Sequence, residues 1–158
     1  MWILIRAAAY STLFIGFLLV FLPARVLARS GLTPVPQIGV WQVCGMIGTG
    51  AGAVIALWCI FTFVFPGKGT PAPFDPPRRL VVRGPYRFVR NPMYIGAGLA
   101  LTGAALFYQS LPLLGYAGLF ILVMHLFVIV HEEPTLRRTF GPNYEAYCGT
   151  IGRWWPKF

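Results

Sequence analysis

The stretch Arg83-Gly84-Pro85-Tyr86-Arg87-Phe88-Val89-Arg90-Asn91-Pro92-Met93-Tyr94-Ile95-Gly96 passes from the densest block of positive charge in the chain into a long apolar run. Asn91 suits a helix N-cap, because its side-chain oxygen can accept from a free backbone N–H, and Pro92 suits the first helical position, where its missing N–H would have had no partner. The pair predicts that a membrane helix starts at Asn91. The amino end of a helix carries partial positive charge and unpaired N–H groups. With Arg83, Arg87 and Arg90 around it, this end is suited to hold an anion. The next apolar run ends at His131-Glu132-Glu133-Pro134, which supplies the opposite charge.

The rest of the composition agrees with a membrane setting. Of 158 residues, 57% are hydrophobic and 11% are charged, and the mean hydropathy is +0.68. A soluble domain carries about 25% charged residues. The formal net charge of +9 would suggest nucleic acid if it sat on a folded basic domain. Here it lies in loops that flank apolar runs, which points to topology and away from a nucleic-acid partner. Cys44, Cys59 and Cys148 form no CxxC pair and no metal-ligand spacing with His125 and His131, so reduced thiols and no metal site are expected.

Four spans can be laid out, at about residues 2–22, 40–65, 92–109 and 112–130. A cleavable signal is the alternative for the first, since Val26-Leu27-Ala28 resembles a cleavage site, but the run from Ala7 to Leu22 is long for a signal core and favours a retained span. Residues 23–37, with Pro23, Pro34 and Pro36, are expected to form the first loop. The second span holds Gly45, Gly48, Gly50 and Gly52. Gly48 and Gly52 make a small-xxx-small pair that predicts close helix packing, and no strand precedes Gly48-Thr49-Gly50 as a nucleotide loop would require. Residues 67–77 are rich in Pro and Gly and form a linker or a lid over Asn91. Only Gln109-Ser110-Leu111-Pro112 separates the third span from the fourth, so these two make a tight hairpin that returns the chain to the side of Asn91. Short helices at Pro134 to Phe140 and near Asn143 to Cys148 follow, and Trp154 and Trp155 suit the headgroup layer.

The expected fold is therefore all-α: one polytopic membrane domain over residues 1–158, with four transmembrane helices and a short helical tail in the cytosol. Eleven of the thirteen basic residues fall on one side and only Arg25 and Arg29 on the other. That bias places both termini in the cytoplasm.

The hairpin brings the positive amino end at Asn91 beside the negative carboxyl end expected near Val130, where Glu132 and Glu133 add two carboxylates. A small zwitterion suits such a pair. Gly96 and Gly98 leave room for a ligand against the backbone, and His125, seven residues before Glu132, shares its helix face. Each feature has a plainer reading as well. Flanking arginines mark topology, Glu132 and Glu133 favour the start of a following helix, the glycines pack, and a neutral histidine bonds a neighbouring helix. Tyr86 and Tyr94 can stack on a ligand ring or sit in the interfacial belt.

The block Arg83 to Arg87, the block Arg90-Asn91-Pro92-Met93-Tyr94-Ile95-Gly96, Glu132-Glu133-Pro134 and the tail Phe140-Gly141-Pro142-Asn143-Tyr144-Glu145-Ala146-Tyr147 together resemble the integral membrane methyltransferases. That family includes isoprenylcysteine carboxyl methyltransferase and phosphatidylethanolamine N-methyltransferase, and the resemblance covers about residues 78–156. It implies S-adenosylmethionine as cofactor. Asn91, Pro92, Met93, Tyr94 and Gly96 would line its pocket, with Arg90, Gly98 and His125 beside them, and Glu132 and Glu133 would hold its cationic end. The acceptor would be a lipophilic molecule or membrane lipid that reaches the methyl group through a gap between helices. An amine acceptor must lose a proton, for which His131, Glu132 or Glu133 is available, whereas a carboxylate needs no base. Asn91 stands where the prenylcysteine enzymes usually have His, and the last span carries no arginine for a substrate carboxylate, so the pattern sits closer to the phospholipid enzymes. A reductase that uses a reduced nicotinamide dinucleotide, and a small transporter or accessory protein, are the competing classes. The spans offer only His125 as an intramembrane charge, which counts against transport.

Overall fold

The computed structural model describes residues 16–31, 38–64 and 80–157, with the side chains of residues 63 and 64 outside that set. Most of the first expected span, the end of the first loop with Pro34 and Pro36, and the whole of the 67–77 linker or lid lie outside the described residues. Every regular element among the described residues is helical. A π-helical turn, Gly16–Phe21, runs into α1, Leu22–Arg29. Residues 22–29, expected to belong mostly to the first loop, are thus helix. Pro23 falls in the first turn, where its ring and lost N–H do no harm, and Arg25 and Arg29 face outward while Pro23 is buried. Ser30 ends α1 by donating from its hydroxyl to the Val26 carbonyl at 2.7 Å.

Helix α2, Val40–Val64, packs along α3, Pro92–Phe107. The contact is backbone on backbone. A methyl group at Gly45 would lie 2.6 Å from the Gly103 carbonyl oxygen, and one at Gly96 would lie 2.8 Å from the Gly52 carbonyl oxygen. Gly45 meets Gly103 and Gly52 meets Gly96, so the helices run antiparallel in fixed register. Packing by small residues, expected for Gly48 and Gly52, is what the structure has, although Gly48 sits further from its neighbour than Gly45 or Gly52 does. Thr49 donates to the Ala100 carbonyl at 3.3 Å. The buried Gln42 donates to the Phe107 carbonyl at 3.3 Å and accepts from Gly39 N at 3.0 Å, which ties the two helix ends together.

Three residues join α3 to α4, Leu111–Phe127. Ser110 caps α4 by accepting from Leu113 N at 3.3 Å. Ala97 and Leu101 of α3 and Ala117 and Phe120 of α4 form a buried cluster, on which Leu18 and Leu19 close, and Tyr116 donates to the Leu18 carbonyl at 2.7 Å. The expectation that a helix ends near Val130 is not met. A π-helical turn, Val128–Glu132, carries α4 directly into α5, Glu133–Phe140, so one helix of 30 residues runs from Leu111 to Phe140. Pro134 lies in the first turn of α5, and the wider π turn before it accommodates its missing N–H. Gly141, at φ 50°, breaks the chain before α6, Pro142–Thr150.

Val40–Thr62 and Leu111–Phe140 are long and apolar enough to cross a membrane, and Pro92–Phe107 is a shorter apolar helix. Their outer faces expose Trp41, Ile47, Leu57, Phe61, Leu119, Leu122 and Val130. Contiguous apolar faces of this kind suit lipid and not water.

Candidate functional site

The segment before α3 is pinned at three places. Gly84, at φ 56°, opens a short 3-10 turn, and a side chain there would collide with Thr62 Oγ1 and crowd Trp58 Nε1 of α2. Tyr86 and Val81 pack on Cys59. Val89 then pairs as a single parallel bridge with Gly152 of the tail, and Arg90 N donates to the Gly152 carbonyl at 2.9 Å. The tail thus closes over the start of α3. Asn91 holds the N-cap position but makes no capping bond. Its side-chain nitrogen donates instead to the Arg153 carbonyl at 3.2 Å, so the expected cap is a tether to the tail.

The two oppositely charged halves, expected to take opposite ends of a ligand, are bonded to one another. Arg90 Nη1 lies 3.1 Å from Glu133 Oε1. Arg153 grips the same carboxylate with both arms, Nε to Oε1 at 2.6 Å and Nη2 to Oε2 at 2.9 Å. Glu133 is 4% exposed, and a carboxylate that deep is stable because two guanidiniums flank it. Arg90 also donates to Cys148 Sγ at 2.8 Å and Tyr144 Oη at 3.4 Å. Its Nε is buried with no hydrogen-bond partner among the described residues. Glu132 accepts from Tyr94 Oη at 3.1 Å and forms no ion pair among the described residues. Burial, then the neighbouring Cys148 and Glu133, pushes the Tyr144 hydroxyl well above its usual range. Burial does the same for Tyr147, whose hydroxyl donates to the Tyr86 carbonyl at 2.7 Å. Both remain proton donors. The bond to Glu133 raises Arg153 further still.

Two cavities lie here. A small one of about 70 Å³ is walled by Arg90, Asn91, Glu132, Glu133, Tyr144 and Tyr147 together with apolar residues such as Leu80, Val128 and Leu136. An open apolar groove of about 630 Å³ runs between α3 and α4 under the tail, lined by Tyr94, Gly98, Thr102, Ile121, His125 and Trp154, among others. The Tyr94–Glu132 bond links their walls, since Tyr94 lines the groove and Glu132 the smaller cavity.

The expected site residues divide between these places. Arg90, Asn91, Glu132 and Glu133 wall the smaller cavity; Tyr94, Gly98 and His125 line the groove. Gly96 faces α2, as the seam against Gly52 requires, and so leaves no room for a ligand. Pro92 is buried, and Met93 packs on the Cys59 cluster; neither lines either of these two cavities. His131 is exposed with its ring 5.2 Å from that of Phe127, and it walls neither space. His125 and Glu132 do not wall the same one of these two cavities, and the π turn between them rotates the seven-residue register. The expected carboxyl end of a helix beside Glu132 is absent as well, since the helix runs on to Phe140. Arg83 and Arg87 are exposed. Arg153, Tyr144, Tyr147 and Trp154 were not expected in the site. Tyr144 and Tyr147 stand in the tail motif that carries the resemblance, and Arg153 and Trp154 directly follow Gly152, the residue that pairs with Val89.

These features define a helical membrane protein with a buried charge cluster set against an apolar groove. Residues 40–143 match the sequence profile of the phospholipid methyltransferase family. The match covers more than half of the chain, which therefore belongs to that family. It starts at the head of α2 and stops just inside α6. No curated protein and no solved structure matches the chain.

Proposed function

We propose that this protein is an S-adenosylmethionine-dependent methyltransferase that modifies a small lipophilic or lipid-like acceptor at the cytosolic membrane face. The observation that carries this reading is the Tyr94–Glu132 bond, which links a wall of the groove to a wall of the charged cavity. A zwitterionic end and an apolar partner would meet there.

The donor set fits the cofactor. Arg90 Nε is a buried donor without a partner among the described residues, suited to a carboxylate, and Glu132 is a carboxylate without a cation, suited to an ammonium or sulfonium. A groove of about 630 Å³ falls in the range of about 300–1,000 Å³ usual for small-molecule sites. When bound, the cofactor supplies a methyl group already activated on sulfur. Arg90, Glu132 and Tyr94 would hold its polar end, Glu133 and Arg153 would keep Arg90 in place, and the groove would exclude water from the acceptor. For an amine acceptor, Glu132 is the nearest carboxylate available to take the proton. In this reading the chain crosses four times, α3 and α4 form the hairpin of the third and fourth crossings, and both termini face the cytosol.

Titration calorimetry of the full chain in detergent should show binding of S-adenosylmethionine and none of reduced nicotinamide dinucleotide. Radiolabelled cofactor should then label a lipid in a native extract. Binding of the nicotinamide alone would replace this reading with a reductase.

A further inference from the structure

The groove holds one polar ring that the charge cluster does not use. His125 lines its wall, and His125 Nδ1 lies 3.0 Å from Trp154 Nε1. An indole N–H only donates, so Nδ1 is the unprotonated, accepting nitrogen. The neutral ring then carries its proton on Nε2. Among the described residues the ring forms no other hydrogen bond. The two hydroxyls beside it are committed, Tyr94 to Glu132 at 3.1 Å and Thr102 to the Gly98 carbonyl at 2.8 Å. Around them Ile95, Leu99, Ile121 and Leu122 offer no acceptor from their side chains.

Trp154 is itself fixed from outside the groove. The residue before it, Arg153, is clamped to Glu133 by its side chain and to Asn91 by its carbonyl. The tail therefore sets the tautomer of a histidine that belongs to α4.

We propose that His125 donates from Nε2–H to an oxygen of a lipid in the groove, an ester carbonyl or a phosphodiester oxygen, and that Trp154 is the positioning residue that holds the ring in this tautomer. The inference rests on the reading of the groove as the acceptor's place. A donor left unpaired among apolar side chains is costly, so a lipid that brings an oxygen to this depth is favoured over one that brings only hydrocarbon. With Nδ1 occupied and Nε2 protonated, His125 orients the acceptor and takes no proton from it.

The test is equilibrium binding of tritiated probes to the detergent-solubilised full chain without cofactor. The probes are monooleoylglycerol, which has an ester but no phosphate; an alkyl-ether lysophosphatidylethanolamine, which has a phosphodiester but no ester; and octadecene. His125→Phe should weaken one or both oxygen-bearing probes about fivefold, the worth of one hydrogen bond, and leave octadecene unchanged. The probe that weakens names the oxygen. His125→Gln keeps an amide donor and should bind within about twofold of the parent. Trp154→Phe should weaken the same probe about threefold in the parent and not at all in the His125→Gln background, because an amide has no tautomer to fix. Equal weakening of octadecene, or a Trp154→Phe loss of the same size in both backgrounds, would show a wall residue and overturn the proposal. Because no cofactor is added, His125-dependent binding without methyl transfer would remove the proposed function alone. Methyl transfer with probes blind to His125 would remove this inference alone.

Discussion

Between α2 and α3 the chain is held backbone against backbone at Gly45, Gly52, Gly96 and Gly103, whereas between α5 and the tail it is held by one buried carboxylate gripped by two arginines. The contrast follows from the solvent. In the bilayer, lipid tails compete with every apolar side chain, so helices gain little by burying them and must gain by close approach. At the membrane edge water is near, and the tail's few apolar residues would not hold it down. A carboxylate shared by Arg90 and Arg153 does so through direction and charge. The first seam depends on side chains that are missing, the second on one that is present.

The most direct way to break this contrast is to remove the carboxylate. Glu133→Ala leaves Arg90 and Arg153 facing each other without a counter-charge, and breaking a buried pair from one side costs about 3–5 kcal/mol. Thermal unfolding in detergent should show a fall of that order, with the tail released to protease. An unchanged midpoint would mean that the clasp does not hold the tail. Gly52→Ala comes next. Its new methyl group would overlap the Gly96 carbonyl oxygen and Ala100 N, and backbone cannot rotate away as a side chain can, so a loss of about 2 kcal/mol is expected. A smaller loss would show that the helices separate easily.

The glycine seam was legible in the sequence because spacing on one helix is a local property: Gly48 and Gly52 already announced a small face, even though Gly45 and Gly52 make the tightest contacts. The start of α3 was legible for the same reason, since Asn91-Pro92 is a local signal. The use of Asn91 was not, because its partner, the Arg153 carbonyl, is 62 residues away. Separation in sequence likewise hid the pairing of Glu133 with Arg153, 20 residues away, and of His125 with Trp154, 29 residues away. Val128 to Glu132 misled in another way. A proline after two glutamates reads as a helix boundary, and nothing local announces a π turn that lets the helix pass through.

Tyr94→Phe tests the bond that joins α3 to the π turn beside the clasp. It removes the hydroxyl that Glu132 accepts from and keeps the ring, so stability should fall by only about 1 kcal/mol. Methyl transfer should fall more, by about tenfold, if that bond holds Glu132 in its working position. Equal transfer by the parent and the variant would leave the bond a structural one.

The smallest effect expected carries the opposite sign. Gly50 lies in the same helix as Gly52, two residues before it, yet a methyl group there would meet nothing within 4 Å. Ile47 and Val54, on the same side, are exposed, as lipid-facing residues are. With no neighbour to strike, the substitution acts on the helix alone, and alanine is favoured over glycine in a helix interior by about 0.5–1 kcal/mol because it has less backbone freedom to lose. Gly50→Ala should therefore raise the unfolding midpoint slightly, while Gly52→Ala lowers it. Both belong in one series, in detergent and in bilayer discs. A loss at Gly50 confined to the discs would mean that this face meets another protein surface in the membrane, and the contrast between an occupied and an empty glycine face would have to be redrawn around a second copy of the chain.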